Sequence, residues 1–288
     1  MLSKLLLPVD FSDRVRGPAR YARALAHRFH AAITLLHVLP PPHYEFGAME
    51  IGGPMLAELY ATRTSHLRQQ LDAFLAEELE DERLERLVLE GDPARKIVQH
   101  AHENKFDLIV MPTHGYGRFR RFILGSITAK VLHDSDVPVF TGVHLEEGPS
   151  AAEVQFRHIV CALDLGAHSC DVLRWAARFR AEYGARLTIV HATSALDPEL
   201  LETFDPDWRM QYEIEAREEI ERLQDRLQAE ADVLVEPGEA ATVVCETARE
   251  RKADLLVIGR SASEGVLGRL RGQAYSIIRQ SPCPVISI

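Results

Sequence analysis

Short, unbroken aliphatic runs alternate with amphipathic stretches along the whole chain. In the first half the runs are Leu5–Val9, Ile33–Leu39, Leu84–Leu89, Leu108–Met111 and Val137–Gly142. Continuous apolar runs of this length predict parallel strands covered on both faces. Between them the polar and apolar positions switch to a helical period. After Gly17-Pro18, Ala22, Leu25, Ala26 and Phe29 share one face, and proline suits a first helical turn. Met55–Glu80 predicts a long amphipathic helix whose acidic end, Glu77–Glu82, is expected to be a solvated face. Pro93–Asn104, carrying Ile97, Val98 and Ala101, and Ser126–His133 predict two more. Strands that alternate with helices in this way build a doubly wound parallel sheet with right-handed crossovers.

The same order returns in the second half. "KLLLPVDFS" at Lys4–Ser12 matches "HIVCALDLG" at His158–Gly166, and "AAITLLHVL" at Ala31–Leu39 matches "ARLTIVHAT" at Ala185–Thr193. "FDLIVMPTHG" matches "ADLLVIGRSA", and "SDVPVFTGV" matches "SPCPVISI". Ordered matches of this kind mark a duplication. The 288 residues therefore read as two α/β domains, residues 1–146 and 154–288, joined by the polar stretch "HLEEGPSAAE".

Charge narrows the function classes. The net charge is −10, with 17 basic and 20 acidic side chains in residues 1–148 and 16 and 23 in the remainder. Neither half offers the basic surface that phosphate neutralisation on a nucleic acid requires. No apolar run reaches membrane-spanning length, and Met1–Lys4 leads straight into a strand without a signal-peptide pattern, so a cytoplasmic protein is expected. The four cysteines form no CxxC pair and read as small buried hydrophobes. There is neither a GxxxxGK[ST] loop nor an HExxH helix. His37 and His191 lie on apolar strands and read as core histidines; His100 and His102 diverge on a helix.

The chemistry concentrates in "MPTHGYGRFRRFILGS", Met111–Ser126, which follows strand four. Ligands of doubly wound sheets sit beyond the carboxyl ends of strands at the point where strand order reverses. If strands one and four flank that point, Asp10 and this loop face each other across it. Gly125-Ser126 opens a helix, whose free N–H groups and dipole favour a phosphate. Ser126 and Thr128 add hydroxyls, and Arg118, Arg120 and Arg121 add positive charge. Ser126 also reads as a plain N-cap, Asp10 as a local cap and the arginines as a solvated loop face.

This loop resembles the ATP-binding signature of universal stress proteins: glycine, two residues, glycine, nine residues, then glycine and serine or threonine. "VDFS", "LLHV", "GDPARKIV" and "DSDVPV" also match that family's habitual segments. The resemblance covers nearly the whole chain, once per half. It implies two tandem Rossmann-like domains of the adenine-nucleotide-binding, HUP-type class, each a five-stranded parallel sheet of order 3-2-1-4-5 with helices on both faces. It places Asp10, Val38 and Met111 at the adenine and ribose end, and Pro112 and Gly115 along the ribose and first phosphates; His114, by its place inside the loop, reads as a phosphate or ribose contact. Gly125, Ser126, Ile127 and Thr128 would hold the outer phosphates. Pro112 stands where the signature has its first glycine, which removes one N–H donor.

The copy departs further. Asp164 matches Asp10 and Gly259 restores the first glycine, but Ala262 replaces the second; Gly272 is followed by Gln273 over Ser126 and Tyr275 over Thr128. The resemblance thus implies a first domain that binds ATP or another adenine nucleotide and a degenerate second domain, where Arg260, Arg269 and Arg271 keep a different anionic ligand open; a triphosphate would bring Mg²⁺ without a dedicated protein cage. The resemblance leaves open a slow ATPase or self-phosphorylation on a loop residue such as Ser126, and equally a nucleotide-independent interaction module. The expected partners are the nucleotide, the other half of the chain through strand five of each domain, and an unidentified protein or a second copy.

Overall fold

The computed structural model describes residues 2–41, 53–80, 83–113, 124–143, 145, 149–193, 206–260 and 269–288. By internal contacts the chain divides into two units, Met1–Thr141 with Leu145–Val154, and Gly142–His144 with Gln155–Ile288.

In the first unit β1 (Lys4–Pro8) pairs in parallel with β2 (Ala32–Leu39) on one side and β4 (Leu108–Val110) on the other. β3 (Leu84–Glu90) flanks β2 and β5 (Val139–Thr141) flanks β4. The order is β3-β2-β1-β4-β5, so β1 and β4 flank the reversal point. In the second unit β6 (His158–Ala162), β7 (Arg186–Thr193), β8 (Asp232–Pro237), β9 (Leu255–Ile258) and β10 (Val285–Ser287) repeat that order. The first-unit helices are α1 (Arg16–Phe29), α2 (Gly53–Ala73), α3 (Pro93–Glu103) and α4 (Ser126–Asp134). The second-unit helices are α5 (Ser169–Tyr183), α6 (Pro206–Leu227), α7 (Ala240–Glu250) and α8 (Arg269–Gln280).

The core follows the aliphatic runs. Leu5, Leu6, Leu7, Ile33, Leu35, Leu108, Ile109 and Val110 are completely buried, as are Ile159, Val160, Ile189, Leu255 and Val257 in the second unit. Each sheet is also pinned at its amino end by a duplicated aspartate. Asp107 Oδ2 accepts from Ser3 N (2.6 Å), Ser3 Oγ (2.7 Å) and Lys4 N (2.9 Å). Asp254 Oδ2 accepts from Arg157 N (2.7 Å) and His158 N (2.9 Å). One carboxylate before β4 or β9 thus ties down the entry to β1 or β6, satisfying N–H groups that the strands leave unpaired.

The second helix departs from expectation. It ends at Ala73 rather than Glu80, and Leu75 adopts a left-handed φ of 57°. The next residues form turns, with Leu79 N bonded to Leu75 O (3.0 Å), in which Leu75 and Leu79 are buried. The acidic run is therefore not simply solvated: Glu78 has a side chain only 12% exposed and pairs with Arg16, while Arg23 donates to its carbonyl.

Candidate functional site

In the first unit the loop base is closed by two hydrogen bonds. Gly125 N donates to Thr113 O (2.7 Å), and Thr128 Oγ1 donates to Pro112 O (3.0 Å). Gly125 holds extended dihedrals (φ −60°, ψ 146°) at the start of α4, and the first helical bond is Ala129 N to Gly125 O (2.8 Å). The N–H groups of Ser126, Ile127 and Thr128 therefore have no partner within the helix. Ser126 and Ile127 are exposed, whereas Thr128 is buried. The Thr128 hydroxyl is thus not the outward phosphate donor expected from the loop pattern; its hydrogen goes to a proline carbonyl, and only its backbone N–H remains on offer.

The opposite wall comes from the end of β1. Asp10 Oδ1 accepts from Ser12 N (3.0 Å) and Ser12 Oγ (2.6 Å); Oδ2 takes neither bond. This turn holds Phe11 at a left-handed φ of 61°. The Phe11 ring lies 4.5 Å from that of His37 and 5.2 Å from that of Phe74. His37 Nδ1 donates to Val9 O (2.9 Å), and burial holds its basicity below the ordinary histidine value against the opposing effect of that carbonyl. The role expected for it, a satisfied core histidine, fits this bond. Val38 is buried beside it on β2, and Met111 N bonds Phe140 O (3.1 Å) at the end of β4. The structure therefore brings Asp10, Val38, Met111, Pro112 and Gly125–Thr128 to the carboxyl end of one sheet. His114, Gly115 and the arginines 118, 120 and 121 lie outside the described residues, as does Ala262 in the copy.

In the second unit the same end of the sheet holds a cleft of about 440 Å³. Asp164 and Gly259 line it, with Gln273, Ala274 and Ile277 of α8 and Gly238-Glu239 before α7. Tyr275 does not. It was expected to cover the phosphate cradle with Gln273, but at helical spacing residues 273, 274 and 277 share the cleft side. Position 275 corresponds to Thr128, which is buried. A second difference separates the halves. Gly125 precedes α4, but Gly272 lies inside α8, which begins three residues earlier at Arg269. The unpaired first turn has moved away from Gln273, whose N–H is spent within the helix.

The Gly238-Glu239 wall escaped the sequence reading. Glu239 caps α7: its carboxylate accepts from Thr242 N (2.8 Å) and Thr242 Oγ1 (2.9 Å). Burial pushes the Glu239 pKa up, but these bonds and one from Ala241 N outweigh it and hold the carboxyl below its ordinary value. A signal was present. Gly91-Asp92 and Gly238-Glu239 occupy matching places, with glycine φ values of 142° and 150° that other residues rarely adopt, each followed by an acidic N-cap. Among the described residues no group of three or more histidine, cysteine, aspartate or glutamate side chains is arranged to hold a metal. No helix among them is long and apolar enough to cross a membrane.

Comparison with known proteins matches this duplicated architecture. A universal stress protein of Thermus aquaticus is 33% identical over 143 residues, covering 48% of this chain and 97% of its own length. A universal stress protein of Mycolicibacterium smegmatis is 25% identical over 287 residues, covering 96% of this chain and 93% of its own. The crystal structure of a universal stress protein from Archaeoglobus fulgidus superposes over 99% of this chain and 95% of its own, with a TM-score of 0.67 at 22% identity, a likeness of fold. The model of the universal stress protein family matches residues 1–141 and again 155–288, and the chain belongs to that family, carrying its domain twice.

Proposed function

We propose that the first domain binds an adenine nucleotide, with ATP the expected ligand, and that the protein works as a nucleotide-responsive regulatory module in the cytoplasm. The observation that carries this reading is the opening of α4. Three N–H groups without helical partners, two of them on exposed residues, lie at the carboxyl end of β4 next to β1. A helix N-terminus of this kind stabilises a phosphate by its dipole and its donors. The residues present fit such a ligand: Gly125 leaves the approach to the backbone open, and the Gly125–Thr113 and Thr128–Pro112 bonds hold the cradle in shape before anything binds. Ser126 adds an exposed hydroxyl. Asp10 keeps Oδ2 outside its own turn, a suitable acceptor for a ribose hydroxyl.

Mg²⁺ would accompany the triphosphate through the phosphate oxygens and water, since it needs few protein ligands. The two domains would pair within the chain through the edges formed by β5 and β10, whose free backbone groups otherwise invite association. The reading is tested by gentle purification followed by mass spectrometry and by titration with ATP. Retained or added adenine nucleotide at a first-domain site supports it. A chain that shows no thermal shift and no heat with ATP, ADP or AMP overturns it in favour of a ligand-independent interaction module.

A further inference from the structure

The two halves differ in the chain that joins their second helix to their third strand. Each helix is followed by a left-handed residue, Leu75 at φ 57° and Gln228 at φ 51°. The chain then takes ten steps from Leu75 to Glu85 of β3, but four from Gln228 to Asp232 of β8, although Glu85 pairs with Thr34 as Asp232 pairs with the matching Thr188. The first domain therefore carries extra turn residues here.

Those turns brace the segment between β1 and α1. Phe74 sets its ring edge-on to that of Phe11 at 5.2 Å, and Phe11 lies 4.5 Å from His37, which is itself bonded to Val9 O (2.9 Å). Glu78 pairs with Arg16 and its carbonyl accepts from Arg23 (3.3 Å), while Arg16 Nε also donates to Asp13 Oδ1 (3.1 Å). A carboxylate largely removed from water has to be paired, and this pair ties the start of α1 to the turns after α2. Both ends of the segment that follows Asp10 are thus gripped, Phe11 at one and Arg16 at the other.

The Asp10 turn forms without such a brace in the second domain. There Leu165 takes the same left-handed φ, 58°, and Asp164 Oδ1 accepts from Gly166 N (2.9 Å) and Ser169 Oγ (3.0 Å). Leu165 and Cys170 stand where the first domain has Phe11 and Arg16, so neither the ring nor the guanidinium is present. The brace is confined to the half that keeps Ser126 and Thr128 at its helix start. Its contribution is precision: a binding group acts at full strength only when it is held within about 0.5 Å of its place.

We infer that Glu78 is a positioning residue for ribose recognition in the first domain: through Arg16, and with Phe74 on Phe11, it fixes the Asp10 turn so that Oδ2 meets the ribose hydroxyls. This rests on nucleotide binding by the first domain and adds to it a determinant outside the loop signature.

The test is calorimetric titration of the full-length chain, in Mg²⁺, with ATP and with 2′,3′-dideoxy-ATP, which lacks both hydroxyls. The wild-type chain should favour ATP about tenfold, the worth of one charged hydrogen bond. Glu78→Ala should bring that ratio close to one by weakening ATP and sparing dideoxy-ATP, whereas a general loss of structure weakens both. Arg16→Met should do the same, and Arg16→Lys, which keeps the charge, should restore most of the discrimination. Phe74→Leu keeps apolar bulk in the turn and should also lower the ratio; circular dichroism melts verify that each variant folds. A wild-type chain that binds neither nucleotide overturns the nucleotide site and this inference with it. A wild-type chain that binds both equally, or folded Glu78→Ala and Phe74→Leu chains that keep the wild-type ratio, overturns this inference alone.

Discussion

Thr128→Val separates two roles for the hydroxyl at the mouth of the loop. The substitution keeps the shape and removes one O–H. In the structure that O–H donates to Pro112 O at 3.0 Å in a buried setting, so valine leaves the proline carbonyl without this donor. Leaving a buried acceptor unsatisfied costs about 1–3 kcal/mol. For a unit of this size that corresponds to a fall of roughly 3–8 °C in the melting temperature of the first domain. Because the bond joins the two ends of the loop, every adenine ligand should lose affinity by a similar factor, ATP and AMP alike. Thr128→Ser, which restores the donor, should recover most of both losses. The readouts are differential scanning calorimetry and parallel titrations with ATP and AMP. If Thr128→Val leaves the melting temperature unchanged and weakens ATP alone, the hydroxyl acts on the outer phosphates and the clasp described above is wrong.

His30 ends α1 at a left-handed φ of 56°, where the second domain has Gly184 at 61°; His30→Gly should stabilise the first domain by about 0.5–1 kcal/mol, seen as a higher melting temperature, and a lower one would contradict the cap. Asp107→Asn keeps acceptors for Ser3 and Lys4 but loses the charge, so it should lower stability modestly while Asp107→Ala lowers it clearly in urea melts; equal effects would show that the charge is all that matters. Burial depresses the basicity of His158, whose Nε2 meets Thr188 Oγ1 at 2.8 Å, and of His37. The unfolded chain then takes up protons first as pH falls below the ordinary histidine value of 6.5, so stability is fully present above that pH and declines through the folded values. Melts from pH 8 to pH 5 should show this decline, and a His158→Gln variant should show less of it; a rise in stability on acidification would reverse the assignment.

The strands were legible because both faces of each are covered, so the aliphatic runs carry the signal without alternation. Their order was not, because periodicity says nothing about neighbours; only the resemblance of the loop and strand ends supplied it. The ends of strands were read too long near prolines: β4 stops at Val110 before Met111-Pro112, and β5 starts after Pro138, since proline cannot donate to a ladder. The break after Ala73 was hidden because Leu71, Leu75 and Leu79 keep helical spacing across it. Within the site, types were legible and directions were not. Thr128 and Tyr275 were assigned to the cradle from their place in the motif, yet the Thr128 hydroxyl is spent on Pro112 O and Tyr275 does not line the cleft. The earlier start of α8 was equally hidden, because Arg269–Arg271 are acceptable helix formers and Gly272 is tolerated inside a helix.

One domain of the two is proposed to hold a nucleotide, and the stoichiometry of ATP measures it. Calorimetric titration of the intact chain in Mg²⁺ should give one ATP per chain, and Gly125→Val should abolish that binding, because a branched side chain then occupies the approach to the first N–H groups of α4. Two equivalent ATP sites, or ATP binding that survives Gly125→Val and disappears with a substitution at Gly272, would contradict the account.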